Sequence, residues 1–77
     1  STSPVLKLPV FGKAYRLTTD ASFKGLGAVL EQQHEDGWHP VAYCSRALQP
    51  NEKNYTVSEI ELLAAVFACN FFRVYLY

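Results

Sequence analysis

The chain is poor in the residue types that mark several common classes of protein. Its 77 residues include no methionine, two cysteines, and four residues each of glycine and proline. Lysine plus arginine equals aspartate plus glutamate at seven each, so no basic field indicates a nucleic-acid partner. Cys44 and Cys69 have neither a metal-type nor a disulfide-framework spacing. We therefore expect two buried free thiols in a reducing intracellular compartment, either the cytoplasm or the nucleus.

Long apolar runs and a cleavable leader are also missing. No run of about 18 apolar residues is free of polar interruptions, and no signal-peptide pattern opens the chain, so we expect no membrane association. Because a chain without methionine cannot be a free-standing translation product, we expect a piece of a longer polypeptide. With 49% hydrophobic and 14% aromatic residues, the chain is too apolar to be disordered and long enough for one domain at most.

Alternating apolar and polar residues predict three β-strands with short connections. We expect these strands at about residues 14–19, 25–33 and 38–45. Asp36-Gly37 is a hairpin signal, because this dipeptide suits the positive φ that such turns need. Residues 1–13 contain Pro4 and Pro9 and are expected to form a connector or extended arm. Three strands joined in this way form an antiparallel meander.

A long helix, at about residues 57–75, is predicted after the third strand. Thr56 with Glu59 three residues later forms a capping-box pair, and no glycine or proline follows to stop the helix. At about 100° per residue, one apolar stripe should pack on the sheet. It comprises Ile60, Leu63, Ala64, Phe67, Phe71, Val74 and Tyr75. Much of the remaining helix surface is also apolar, so we expect cover on more than one side. The predicted fold class is mixed α/β.

Two carboxylates are candidates for chemistry. Asp20 is expected at the C-terminal end of the first strand, where it could hold a metal ion or simply end the strand and start a turn. Glu61 falls on the flank of the apolar helix stripe, near Ala64 and Ala68, so we expect it to be partly desolvated. An unpaired buried carboxylate costs on the order of several kcal/mol, so Glu61 needs water, a cation or a metal ion. A helix glutamate that reaches out to water is the alternative. Glu59, by contrast, is occupied by the helix cap.

Several short motifs occur along the chain in an informative order. They are Thr19-Asp20-Ala21-Ser22, Gly25-Leu26-Gly27-Ala28-Val29-Leu30, His39-Pro40-Val41-Ala42-Tyr43 with Ser45-Arg46, Asn54-Tyr55, Glu59, Glu61-Leu62-Leu63-Ala64 and Phe72-Arg73-Val74-Tyr75-Leu76. In this order and spacing they resemble the ribonuclease H domain of retrotransposon reverse transcriptases, especially the Ty3/gypsy class with long terminal repeats. The resemblance covers nearly the whole chain, and Pro4-Val5-Leu6 resembles the connector from the polymerase part. Each motif alone is weak, but the ordered set is specific.

The resemblance implies a ribonuclease H-like fold, truncated to its N-terminal part. It also implies hydrolysis of the RNA strand of an RNA–DNA hybrid with two Mg²⁺ ions, or with Mn²⁺ in their place. Asp20 and Glu61 resemble the first two catalytic, metal-binding carboxylates of the family, and Mg²⁺ prefers such hard oxygen ligands. The candidates for substrate contacts, or for support of the metal ligands, are Ser22, Ser45, Arg46, Tyr55 and Ser58. Arg46 could instead be an ordinary surface arginine, and Tyr55 a hydrophobic staple at the helix start. His34 and His39 are expected on the hairpin surface, without chemistry.

The chain departs from the family pattern in one respect. The pattern expects two more aspartates, and the chain stops at Tyr77 before either. Asp36 cannot substitute, because its hairpin turn is at the far end of the second and third strands from Asp20. We therefore expect this segment to be inactive and marginally stable alone.

The resemblance also implies partners: an RNA–DNA hybrid, the polymerase domain, and the remaining half of the ribonuclease H domain in the same polyprotein. Two alternatives stay open. One is a non-catalytic interaction module from a domesticated retroelement, whose apolar helix face is the partner surface. The other is a decayed fragment without function.

Overall fold

The computed structural model, which describes residues 4–76, contains a three-stranded antiparallel sheet followed by helices. The strands lie in the order β1-β2-β3. The elements are β1 (Tyr15–Ala21), β2 (Gly25–His34), β3 (Gly37–Ala47), a 3-10 turn (Pro50–Glu52), α1 (Val57–Phe71) and α2 (Arg73–Leu76). This architecture confirms the predicted mixed α/β class of a truncated ribonuclease H-like fold, with a meander before a helix. The division of the chain into a connector and half of a larger domain stays a prediction.

The first hairpin places Asp20 within a strand rather than at its end. Asp20 is the penultimate residue of β1, and its Cα pairs with that of Gly27. The ladder extends this far because the turn is tight: Ser22 and Gly25 exchange backbone hydrogen bonds of 3.0 and 3.3 Å. Only Phe23 and Lys24 lie between them, so the strands remain paired up to the turn. The strand thus extends two residues beyond its expected end at about residue 19.

The side of the sheet that faces α1 carries the core. The core residues are Leu26, Ala28, Leu30, Val41, Ala42, Cys44, Leu48, Ile60, Ala64, Ala68 and Phe72. Along β2 they follow the period of two expected for a strand with one buried face. Val41 and Ala42 are both buried because the register shifts there: Leu30 pairs with Ala42, whereas Glu31 pairs with Pro40. Val41 is thus the extra residue of a β-bulge, on a strand at the sheet edge that tolerates a proline.

The predicted helix is interrupted near its end. Phe72 has φ −96° and ψ 9° and separates α1 from α2. Its N–H still donates to the carbonyl of Ala68, but its own carbonyl accepts from the N–H of Tyr75, three residues later. Phe72 is fully buried, whereas Phe71 and Val74 are 55% and 75% exposed. The predicted stripe is therefore wrong at Phe71 and Val74, because tertiary packing of Phe72 determines how the last turns lie.

The two cysteines lie in different environments. Cys44 is buried, as expected, and burial raises the pKa of its thiol. Cys69 is exposed on α1, so the expectation of two buried thiols is wrong for this residue. Both are free thiols. Among residues 4–76, no helix is both long enough and apolar enough to cross a bilayer.

A buried amide attaches the N-terminal arm to the sheet. The side chain of Gln32 is fully buried on β2 and pairs with the backbone of Val10 in both directions. Its Oε1 accepts from the Val10 N–H at 2.7 Å, and its Nε2 donates to the Val10 carbonyl. Nearer the N-terminus, the Lys7 N–H donates to the carbonyl of Pro40 at 2.8 Å. The arm therefore contacts the sheet at two points, although residues 4–14 form neither helix nor strand.

We predict that Gln32→Leu destabilises the protein by about 1–3 kcal/mol, because it leaves two backbone groups of Val10 without their partner. The matched control is Gln33→Leu, at an exposed position on the same strand. Urea unfolding followed by the fluorescence of the single tryptophan, Trp38, measures both. Equal stability losses in the two variants would contradict the role of Gln32 in attaching the N-terminal arm to the sheet.

Candidate functional site

The face of the sheet opposite α1 carries the first candidate carboxylate. Tyr15 and Leu17 pack on the core, so Asp20, at an even-numbered position, lies on the other face. The registers of the two strand pairs place Asp20, Gly27 and Ser45 in one row across the sheet. Asp20 is exposed, and within residues 4–76 its carboxylate makes neither a hydrogen bond nor an ion pair. The row thus presents a carboxylate, a residue without a side chain and a hydroxyl.

A concavity with a volume of about 700 Å³ lies over this row. Four of the predicted site residues line it: Asp20, Ser22, Ser45 and Arg46. Lys24 and Tyr43 line it as well, and the sequence analysis did not assign them to the site. Lys24 sits two residues after Ser22 in the hairpin turn, where its N–H donates to the Ser22 hydroxyl at 3.2 Å. The closeness of Lys24 to Asp20 in the sequence is the signal that could have assigned this lysine to the site. The concavity thus combines one carboxylate with five hydroxyl-bearing residues, a lysine and an arginine.

Two glycines beside this row have different roles. A Cβ at Gly25 would lie 2.8 Å from the carbonyl oxygen of Arg46, so the close approach of two strands requires glycine there. A Cβ at Gly27 would meet nothing nearer than the carbonyl oxygen of Asp20 at 4.0 Å. Packing therefore does not explain the missing side chain at Gly27. Its effect is to leave space beside Asp20 on the open face.

The second candidate carboxylate lies elsewhere. Glu61 is in the second turn of α1 and does not line the concavity. Asp20 lies on the open face of the sheet, whereas Glu61 is carried by α1, which covers the apolar face. Glu61 is exposed, so the expectation of a partly desolvated carboxylate is wrong. Within residues 4–76, no group of three or more histidine, cysteine, aspartate or glutamate side chains could hold a metal ion.

The start of α1 accounts for two further candidates. Thr56 and Glu59 form the predicted capping box, with the Glu59 N–H donating to Thr56 Oγ1 at 3.2 Å and the Thr56 N–H donating to Glu59 Oε1 at 2.9 Å. Tyr55, just before the cap, packs on the cluster that contains Ile60, which is the arrangement of a hydrophobic staple. Tyr55 thus has a structural role here. Ser58 is exposed in the first turn and lies outside the concavity.

Arg46 is paired with a carboxylate that the sequence analysis did not consider. Its Nη1 and Nη2 donate to Oε1 and Oε2 of Glu52 at 2.7 and 2.9 Å. The Gln49 N–H donates to Oε1 at 2.8 Å. The Arg46 side chain, followed by this N–H, lowers the pKa of Glu52 to about 2. The Gln49-Pro50-Asn51-Glu52 spacing resembles a capping box, and it was the signal that could have identified Glu52.

The other hairpin lies away from these residues. His39 Nε2 and Asp36 Oδ1 are 2.7 Å apart, and this hydrogen bond lowers the pKa of the Asp36 carboxyl. His34 Nε2 is 3.0 Å from Gln32 Oε1. Asp36 follows β2 at the end opposite the Ser22–Gly25 turn, and it is exposed. His34, Asp36 and His39 do not line the concavity.

Comparisons with known proteins agree on one family. The model of the RNase H-like domain found in reverse transcriptase matches residues 1–77. The chain is similar to the retrovirus-related Pol polyprotein of transposon 297 from Drosophila melanogaster, with 51% identity over 95% of this chain and 6% of that polyprotein. The Pol polyprotein of transposon gypsy from the same organism is 44% identical over 100% of the chain and 7% of its own length. The transposon Tf2-3 polyprotein of Schizosaccharomyces pombe is 42% identical over 95% and 6%. The chain thus spans less than a tenth of each of these relatives.

We predict opposite outcomes for alanine at the two glycines of β2. Gly25→Ala should destabilise the protein by about 1–3 kcal/mol, because the new Cβ overlaps strand backbone that cannot move alone. Gly27→Ala should leave stability unchanged or raise it by up to about 1 kcal/mol, because alanine restricts the unfolded chain. Thermal unfolding of both variants measures the difference. A loss of stability at Gly27 as large as that at Gly25 would show that the space beside Asp20 is required for folding.

We also predict an acid-labile contribution to stability from Glu52. Its pKa is about 2 in the folded protein and 4.5 ordinarily, so between these values the unfolded chain binds more protons. The contribution is complete above pH 4.5 and is lost as the pH falls toward about 2. Glu52→Gln and Arg46→Gln should each flatten this part of the pH profile of the melting temperature. Profiles with unchanged slopes would contradict the pairing.

Proposed function

We propose the following function for this chain, which belongs to the family of RNase H-like domains found in reverse transcriptase. The function is that of a ribonuclease H module in a retrotransposon polyprotein, which hydrolyses the RNA strand of an RNA–DNA hybrid. The observation that carries the proposal is the position of Asp20. It lies exposed in a concavity lined by hydroxyls and a lysine, beside a glycine that packing does not require. A carboxylate held for structural reasons would have a partner, as Glu52 does.

The candidate residues are of the types that bind Mg²⁺, but they are too few to complete a two-metal site. Mg²⁺ takes hard oxygen ligands and keeps several of its waters, which suits an exposed carboxylate with space beside it. Asp20 and Glu61 are the two carboxylates that would hold the metal ions. Since residues 4–76 contain no group of three potential ligands, further carboxylates have to come from other parts of the polypeptide. When bound, two Mg²⁺ ions, or Mn²⁺ in their place, supply an activated water and stabilise the leaving 3′ oxygen.

The chain itself would hold and orient the hybrid. Lys24 at the hairpin turn can neutralise a backbone phosphate, and the hydroxyls of Ser22 and Ser45 can donate to phosphate or sugar oxygens. Such contacts position a nucleic acid without reading its sequence, which is what cleavage along a hybrid requires. The missing side chain at Gly27 allows the backbone of the RNA strand to come close to Asp20.

The same proposal assigns the partners and the compartment. The polymerase domain and the rest of the ribonuclease H domain would lie in the same polyprotein, since the relatives are far longer than this chain. The 77-residue chain alone would not cleave, because two of the four carboxylates expected for the site are missing and residues 4–76 hold no group of three potential metal ligands. Free thiols at Cys44 and Cys69 accord with a reducing intracellular compartment, the cytoplasm or the nucleus.

A second function is favoured by one observation. Leu62 and Val66, one turn apart on α1, are 67% and 50% exposed. An apolar strip of this kind is typical of a surface that contacts another protein. A non-catalytic interaction module would use this strip and would not depend on the charge of Asp20 or Glu61.

The two functions are distinguished by hydrolysis of an RNA–DNA hybrid by the polyprotein that contains this chain. We expect Asp20→Asn and Glu61→Gln each to reduce kcat by about 10²–10³-fold, because each removes a charged ligand of the metal ions that would activate the water and stabilise the leaving oxygen. The matched controls are Asp36→Asn and Glu35→Gln, at exposed positions of the distal hairpin, and they should retain activity. Chelation of divalent metal should abolish cleavage. Cleavage that persists in both site variants, or cleavage by the 77-residue chain alone, would overturn the proposal.

A further inference from the structure

One guanidinium connects three elements of the fold. Arg46 lies on β3, binds Glu52 in the 3-10 turn through two hydrogen bonds, and places its Cζ 5.4 Å from the ring centroid of Phe67 on α1. Its Nη1 also donates to the carbonyl of Ala47 at 3.2 Å. Arg46 thus contacts the sheet and the connecting segment by hydrogen bonds and the helix through an aromatic ring.

The carboxylate that receives this guanidinium is fully engaged. Glu52 accepts from both Arg46 nitrogens and from the Gln49 N–H, and its side chain is only 8% exposed. Its own backbone N–H donates to the Gln49 carbonyl, and its carbonyl accepts from the Tyr55 N–H. A carboxylate with this many charge-assisted and backbone bonds holds the segment before α1 in one conformation.

This assembly connects the elements that carry the two candidate metal ligands. On the strand side, Arg46 directly follows Ser45, which belongs to the row that contains Asp20. On the helix side, Arg46 lies over the ring of Phe67 on α1, the helix that also carries Glu61. Apolar packing holds α1 on the sheet, and the Arg46–Glu52 pair adds a polar contact between β3 and the segment that leads into α1.

We propose that Arg46 and Glu52 are positioning residues that set the placement of Glu61 relative to Asp20, and that Arg46 is not a phosphate ligand. The inference rests on the proposed function, because it concerns the same site. Arg46 commits three of its five N–H donors, two to Glu52 and one to the Ala47 carbonyl, and the Glu52 carboxylate already balances its charge, so little of it is left for a phosphate. A bidentate, ring-stacked arginine cannot be replaced by lysine, whereas a simple phosphate contact usually can.

The chain offers a matched control pair. Arg16 donates to Glu31 at 3.0 Å and places its Cζ 4.5 Å from the Trp38 ring centroid, so it has the same kind of carboxylate and aromatic partners. That pair lies within the sheet and has no contact with the segment before α1. Arg16→Lys and Glu31→Gln therefore repeat the chemical changes of Arg46→Lys and Glu52→Gln without the proposed role.

The first test measures the placement directly in the polyprotein and needs no activity. Spin labels are introduced by Glu35→Cys at the turn between β2 and β3 and by Leu62→Cys on α1, both exposed, with the native cysteines replaced. Pulsed dipolar spectroscopy should give a narrow distance distribution in the parent protein. Arg46→Lys and Glu52→Gln should broaden or shift that distribution, while Arg16→Lys and Glu31→Gln should not. Identical distributions in all variants would overturn the proposal.

The second test separates positioning from substrate contact by kinetics on the hybrid. We expect Arg46→Lys and Glu52→Gln each to lower kcat by about 10–100-fold and to raise the metal concentration needed for half-maximal rate, with KM for the hybrid within about twofold. The double variant should be no worse than either single variant, because both break one contact. A rise in KM at constant kcat, or a lower KM when Glu52→Gln frees Arg46, would show that Arg46 contacts phosphate. A parent polyprotein that does not cleave would overturn the proposed function only, and the distance measurement would still decide the positioning role.

Discussion

The need to cover one face of the sheet determines the arrangement of the rest of the chain. Leu26, Ala28 and Leu30 alternate along the central strand, so their side chains form an apolar surface that neighbouring strands cannot hide. The helix α1 covers it with Ile60 and with alanines small enough for close packing. Once that face is assigned, the alternation of the strands leaves Asp20 and the concavity on the other side. The position of the candidate site thus follows from which face of the sheet is buried.

Short-range patterns were sufficient to predict most of the secondary structure. The Thr56–Glu59 capping box and the Asp36-Gly37 turn are decided within a few residues, and the alternation of β2 needs no partner to be recognised. Predictions were wrong where contacts between residues far apart in the sequence determine the local structure. Phe72 interrupts the helix because its ring fills the core, and the strand bulge at Val41 depends on the register with β2.

The site could be predicted in composition but not in arrangement. Sequence motifs identified Asp20, Ser22 and Ser45, which the fold brings together. They could not reveal that Glu61 lies on a helix over the opposite face, because this depends on which surface is buried. The partner of Arg46 was missed for a related reason. A charge pair between a strand and a later turn leaves no periodic signal, although it distinguishes a committed carboxylate, Glu52, from the exposed Asp20.

The contact between Gln32 and the arm has a consequence for how sequences of this kind can diverge. Both hydrogen bonds of the amide are made to main-chain groups of residue 10, its N–H and its carbonyl. Every residue type except proline offers the same two groups. This contact therefore requires glutamine at position 32 of β2, whereas residue 10 of the arm can be substituted while the arm stays attached.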